Sequence, residues 1–379
     1  MRHFHSRITP SVIHQEAREF LRNCLPWKPF HDSVGVADLL NLLLLMAATG
    51  ASLFATVRRF FSFSHETASR ALKAQSFSGD QLHAALLRGL HAVMAFGPHD
   101  RRRRWQIAID THYVGYYGQR VKDVVGGPRK QGTKWFFAYA SAVLLHKRRR
   151  YAVALTKVSP GQKPHEIVRA LLDQIAQQGL KIQGVALDSG FGGGDTLLLL
   201  QERKLSYVVP LQRIGRRTNA RNALFAKRHN SIHWVEWRTE RANRLVRTRV
   251  LVWKRGRKTR VFAFDGWAGR RAGNVHRMAQ AQRRLYRKRF GIETSYRQKN
   301  QGLATTTSRD SNYRLLLQGI AFLLRQMWVA LTEELGRRRK AKPTAWLGEL
   351  TLARVLEWLA DELKKLYPED HSIPLGAIG

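Results

Sequence analysis

Two short apolar runs that meet aspartates constrain this chain most. WQIAIDTHYVGYYG (105–118) alternates in the manner of a β-strand and carries Asp110. KIQGVALDSGFGGG (181–194) is a short apolar strand that ends at Asp188 and a glycine-rich turn. Between them lie two more strand candidates, Trp135–Leu145 and Tyr151–Val158, rich in aromatic and branched residues. An amphipathic helix follows over 164–178, with Ile167, Leu171, Leu172 and Ile175 apolar and Gly179 closing it. Thr196–Lys204 then reads as helix and Ser206–Pro210 as strand. Three antiparallel-looking strands, a helix and a further strand fit an α/β core built on a mixed sheet.

The flanks have different textures. Residues 1–98 form a helical N-terminal domain, with helices expected at Val36–Ala48, Ser52–Phe61, His65–Lys73 and Gln81–Ala95, and Ser64 as an N-cap. The small polar turn Ser62–Ser64 is compatible with a helix-turn-helix that contacts DNA, and equally with a plain helical bundle. The α/β core begins at 99–211 and resumes at 269–335. In between, 212–268 alternates basic residues with Trp and Val (HWVEWR, VRTRVLVW, TRVFAFDGW) and reads as a β-rich insertion. One long helix is expected from Gly273 to Gln301. Two more follow at 313–335 and 344–366, the last in a C-terminal helical region, 336–379.

Charge narrows the partners. With 66 Lys+Arg against 27 Asp+Glu the chain carries +39, and its longest cationic runs are arginines at 101–104, 148–150 and 337–339. A folded chain this basic must neutralise a polyanion, and nucleic-acid phosphate is the first candidate. An anionic membrane fits less well, because the charge is spread along the chain. The apolar runs Val34–Ala48 and Leu315–Leu331 contain polar residues and read as buried helices rather than membrane spans. Cys24 is the one cysteine, which excludes an internal disulfide framework and fits a reducing cytoplasm. The start, MRHFHSRITPS, has no apolar core of a signal peptide.

The stretch YRKRFGIETSYRQK (286–299) sets a single acid, Glu293, among six cations: Arg284, Arg287, Lys288, Arg289, Arg297 and Lys299. On a helix, Tyr286, Arg289, Glu293 and Arg297 share one face. A carboxylate in such a field is biased towards its ionised form. It suits either an arginine pair on an exposed basic helix or a divalent cation beside a bound polyanion. Asp110 and Asp188, at strand ends with small residues after them, suit turn caps or metal ligation.

Taken together, IAIDT, VALDSG about 80 residues on, a β insertion, and Y-x2-R-x3-E on a basic helix resemble the DDE transposases of the IS4 type, over roughly residues 100–330. RFGIETSYR followed by TTTSR (305–309) is similar to a recurring form in such insertion-sequence transposases. The family's next lysine would fall on Asn300; this chain has Lys299 and Arg297 beside it.

The resemblance implies an RNase H-like catalytic core interrupted by the β-rich insertion. It implies that Asp110, Asp188 and Glu293 bind two Mg2+ ions, with Mn2+ as a substitute. Metal-activated water would cut the transposon end, and the freed 3′-OH would attack target DNA. Tyr286, Arg289 and Arg297 or Lys299 would grip terminal phosphates. The partners would be double-stranded DNA (terminal repeats and target) and a second copy of the chain on that DNA, with no membrane. A metal-dependent nuclease without strand transfer, and a non-catalytic DNA-binding protein with the same core, are the alternatives. His112, two residues after Asp110, and Asp265, at a strand end, are the alternative ligands; Asp173 and Asp195 are decoy acids. Asp123 lies in a loop expected at 118–127, and Trp234, Trp237, Trp253 and Trp267 suit either base stacking or packing.

Overall fold

The computed structural model describes residues 8–28, 34–75, 79–94, 96, 98–130, 132–146, 150–215, 220–239, 243–256, 258–265, 275–338 and 350–369. Helices come first: α1 (Pro10–Cys24), α2 (Val36–Thr49), α3 (Leu53–Phe60), α4 (His65–Ala74), α5 (Gly79–Ala92) and the short α6 (Pro98–Arg102). Strands β1 (Arg104–Tyr116), β2 (Val125–Lys130), β3 (Thr133–Leu144) and β4 (Ala152–Val158) follow. Then come α7 (Pro164–Gln177), β5 (Lys181–Leu187), α8 (Gly194–Glu202), β6 (Ser206–Leu211) and α9 (Ala220–Ala223). The chain finishes with β7 (Ser231–Arg238), β8 (Leu245–Arg255), β9 (Lys258–Asp265), α10 (Val275–Gln301), α11 (Ser311–Arg338) and α12 (Leu352–Leu366). It divides into two compact units, residues 96–295 and residues 1–95 with 296–379, and the boundary falls inside α10.

The first unit is built on one mixed sheet. β1 pairs antiparallel with β3 from Ile107↔Leu144 to Tyr116↔Trp135, and β4 pairs antiparallel with β3. α7 starts at Pro164, where Glu166 accepts the Lys163 backbone N–H at 2.9 Å, and it packs on β4 and β3. The chain then re-enters the sheet: β5 lies parallel to β1, and β6 parallel to β5. The order β4-β3-β1-β5-β6 is an RNase H-like core.

The strands of 231–265 extend that same sheet. β9 pairs antiparallel with β6 from Tyr207↔Asp265 to Leu211↔Val261, and β8 and β7 follow outward, making nine strands. β2, part of which the sequence assigns to a loop, pairs with the start of β3. Its sequence VGGPRK has one branched residue, Val125, followed by two glycines and a proline, and Pro128 suits an edge because it has no N–H to leave unpaired.

The second unit is helical. α2 is buried from Leu39 to Ala47 and ends at Gly50, whose φ of +69° is the left-handed turn that glycine adopts without strain. Its buried Asn41 is satisfied by His14 at 2.9 Å and donates to the Tyr367 hydroxyl at 3.0 Å, which donates to Asp38 at 2.8 Å. α11 packs on α5 and α2. Among the described residues α11 alone is, by itself, long and apolar enough to cross a membrane, and 89% of that stretch is buried. Cys24 is buried too, which pushes its thiol up to about 12. α3 and α4 pack together across a short turn. Ser64 caps α4 by accepting the Thr67 N–H at 3.1 Å, and Arg58, Arg59, Arg70 and Lys73 are exposed.

Candidate active site

The register of two parallel strands brings the two aspartates together. β1 and β5 pair through Ile107↔Val185, Ala108↔Ala186 and Ile109↔Leu187, all six fully buried. The next residue on each strand is an acid, so Asp110 and Asp188 leave neighbouring strands at the same level. β1 runs on to Tyr116, whereas β5 stops, and Ser189–Phe191 makes a 3-10 turn in which the Phe191 N–H donates to the Asp188 carbonyl at 3.0 Å. A side chain at Gly192 would lie 3.2 Å from the Ser189 carbonyl and 3.3 Å from the Pro210 carbonyl, a tight fit that favours glycine in this turn.

α10 supplies the third acid. Leu285 and Tyr286 pack on a cluster of Ala186, Val208, Leu251, Phe262 and Phe264, and the Tyr286 ring lies 5.3 Å from Phe262. That contact anchors the helix over the face of β5, β6, β8 and β9. Residues one and two turns further along the same stripe, Arg289 and Glu293, then reach the middle of β1, at Asp110, and the end of β5.

At the centre stands Arg289. One guanidinium nitrogen donates to Asp110 at 3.3 Å; the other donates to Glu293 at 2.7 Å and lies 3.7 Å from Asp188. Its side chain is 5% exposed, Asp110 16%, Asp188 42% and Glu293 43%, so the cluster has a buried end and an open end. Burial raises the Asp110 carboxyl to about 6; Arg289 opposes this, while Asp188 adds to it. Burial disfavours the Arg289 charge, yet Tyr286, Asp110, Asp188 and Glu293 outweigh it and hold its proton more tightly than usual. The Tyr286 hydroxyl is raised first by burial, and its ring lies 5.1 Å from the Arg289 guanidinium.

The structure therefore brings together Asp110, Asp188, Glu293, Arg289 and Tyr286. Lys299 is a correction: it is fully buried, its Nζ donates to Gln318 at 2.6 Å, and burial lowers it to about 7, so it cannot reach a phosphate. Arg297 is exposed, as are Arg284, Arg287 and Lys288. Asp265 pairs with Arg249 at 3.9 Å, Asp173 with Arg203 at 2.6 Å and Asp123 with Lys157 at 3.9 Å. His112 shares the Asp110 face of β1 by alternation but is not among the partners of Arg289.

The tryptophans divide. Trp237 packs on Gly194, where an added Cβ would lie 2.9 Å from the indole. Trp253 lies under Arg283 at 4.8 Å. Trp234 is 56% exposed, with Arg247 and Arg249 at 4.8 and 5.3 Å from its ring centre. Trp267 falls outside the described residues. Two contributors were not read from the sequence: the Thr111 N–H, which donates to Asp110 at 2.8 Å, and Tyr113, whose hydroxyl is raised by burial and by Asp110. The alternation of β1 gives no signal for either.

Three carboxylates around one cation are hard oxygen donors of the kind divalent ions take, so the donor chemistry fits such ions. Their present spacing is that of a guanidinium cage. Among the described residues no group of three or more His, Cys, Asp or Glu side chains is placed, as it stands, to hold a metal ion.

A mixed sheet of RNase H-like order, with three acids gathered where β5 ends beside the middle of β1 (Asp110 lies within its strand, not at the strand end that the sequence suggests), defines a class. The chain belongs to the DDE-domain transposases: the family model described as "Transposase DDE domain" matches residues 101–323, more than half of its length. It is thus a DNA transposase by family. Among solved structures it is similar to piggyBac transposase, seen by cryo-EM in a synaptic complex with hairpin DNA, with a TM-score of 0.53. The identity is 11%, and the match covers 98% of this chain and 84% of that one, a likeness of fold. No curated protein matches.

Proposed function

We propose that the chain cuts the ends of its own transposable element and joins the freed 3′-OH to target DNA, with Asp110, Asp188 and Glu293 as its metal-holding acids. The observation that carries this is their convergence on one cation, from two neighbouring strands and a helix. Divalent ions bound there would supply an activated water and stabilise the leaving oxygen. Asp110, the most buried, anchors the site; Asp188 and Glu293, each open on one side, face the entering phosphate. The exposed Arg284, Arg287, Lys288 and Arg297 of α10 take the DNA backbone.

The charge of +39 and the family support DNA as the partner. The solved neighbour is itself in a synaptic complex with hairpin DNA, and we carry over from it DNA as the partner; that a dimer of this chain acts on the DNA is our own proposal. Affiliation with the IS4 type rests on Tyr286, Arg289 and Glu293 at Y-x2-R-x3-E spacing. The helical N-terminal region is assigned to DNA contact through α3 and α4.

The test is Mg2+-dependent cleavage and joining of duplexes carrying the element's ends. Wild type cuts and joins, and Asp188→Ala does neither. Cleavage that persists in the variant overturns the site. Cleavage without joining in wild type favours a nuclease, and binding without cleavage a purely structural core.

A further inference from the structure

The cation that the three acids share is the one expected on DNA. Arg289 reaches Asp110, Glu293 and Asp188 at 3.3, 2.7 and 3.7 Å, with the Tyr286 and Phe290 rings 5.1 and 5.5 Å away. Its Nε is buried and has no hydrogen-bond partner. A guanidinium has five N–H donors in a rigid fork, and here the acids hold one edge while the opposite donor goes unused. Its charge is compensated by the three carboxylates together with Tyr286. Three carboxylates that must accept divalent cations are thus already neutralised in part by a group of the protein's own.

We propose that Arg289 is an exchangeable counter-ion of the acid site: it occupies the space between Asp110, Asp188 and Glu293 in the free protein, and gives them up when divalent cations and DNA arrive together. This rests on the metal-site reading above. Removing Arg289 takes the site from a net charge of −2 to −3, so a divalent cation entering the free protein must compete with the guanidinium. A DNA phosphate gives that guanidinium another bidentate partner. Metal then binds more tightly in the presence of DNA, and by linkage DNA binds more tightly in the presence of metal. The consequence is a transposase that loads metal poorly until it holds DNA. Arg289 is a positioning residue in this scheme: it gathers the acids before the reaction and grips phosphate during it.

The experiment is a Mn2+ titration of the DNA-free full chain, following free Mn2+ by electron paramagnetic resonance, for wild type, Arg289→Gln, Arg289→Lys and Asp188→Asn. Arg289→Gln is expected to bind Mn2+ about tenfold more tightly than wild type or better, with Arg289→Lys between them. Asp188→Asn loses the binding. If Arg289→Gln binds no more tightly than wild type while Asp188→Asn loses binding, the exchange is wrong and the metal site stands. If Asp188→Asn changes nothing, the acids are not the metal site and both readings fall. Should Arg289→Gln not fold, Arg289→Lys decides: threefold tighter binding supports the exchange, and wild-type affinity overturns it.

Discussion

Asp110 carries an energetic burden that a single substitution should relieve. Its folded carboxyl titrates near 6 against an ordinary value of 3.8, because burial opposes its charge more than Arg289 supports it. The folded state therefore binds this proton more tightly than the unfolded chain does. The associated stability is fully present below pH 3.8 and is lost as pH rises through 6. A rise from 3.8 to about 6 corresponds to about 3 kcal/mol at neutral pH. Asparagine mimics the protonated carboxyl and can still accept from the Thr111 N–H and from Arg289. Asp110→Asn should thus raise stability at pH 7 in chelator by about 1–3 kcal/mol, several degrees in Tm for a unit of this size. The gain should shrink at pH 4.5, where wild type regains its proton. Differential scanning calorimetry at the two pH values reads both. A lower Tm for the variant at pH 7, or an equal gain at both pH values, would mean that the ionised carboxylate is not disfavoured where it stands.

Other outcomes follow from the same geometry. Lys299→Met should leave the affinity for duplex DNA and its salt dependence unchanged, because Lys299 is fully buried; a shallower salt slope would place it on phosphate. Since burial lowers Lys299 from 10.5 to about 7, its contribution is complete above pH 10.5 and is lost as pH falls through 7, so wild-type stability should gain more than that of Lys299→Met between those pH values. Arg297→Ala should weaken duplex binding and reduce the salt slope by about 1, measured by fluorescence anisotropy across salt concentrations. Gly319→Ala should cost about 1–3 kcal/mol by overpacking, as a Cβ there would overlap the Leu86 side chain of α5, and urea melts would read it.

Much of the site was legible because its parts obey local rules. Asp110 and Asp188 follow apolar runs that could only be buried strands, and Glu293 shares a helical face with Tyr286 and Arg289. The rest depended on tertiary contacts. Lys299 reads as one more cation of a basic helix, but it lies seven residues after the buried Ile292 and three after the buried Tyr296, on the buried stripe of α10. A lysine in that stripe gives no local sign that it is covered. Arg289 is legible as a cation near an acid, yet its sharing by three acids needs the β1–β5 register and the seat of Tyr286 on Phe262. The helix α1 lies in a region the sequence marks as helical without resolving this stretch; its N-cap is Thr9, which accepts the Val12 N–H at 3.3 Å. The insertion strands were legible as strands, whereas their pairing with β6 is a long-range choice that alternation cannot encode.

The central claim is that Asp110, Asp188 and Glu293 hold one metal site. Iron-directed cleavage tests it most directly: Fe2+ takes the place of Mg2+ on the DNA-bound protein, and ascorbate and peroxide generate radicals that cut the nearby backbone. Cuts are expected beside residues 110, 188 and 293 together, suppressed by excess Mg2+ and absent in Asp188→Asn. Cuts confined to one of the three positions, or clustered elsewhere in the chain, would contradict it.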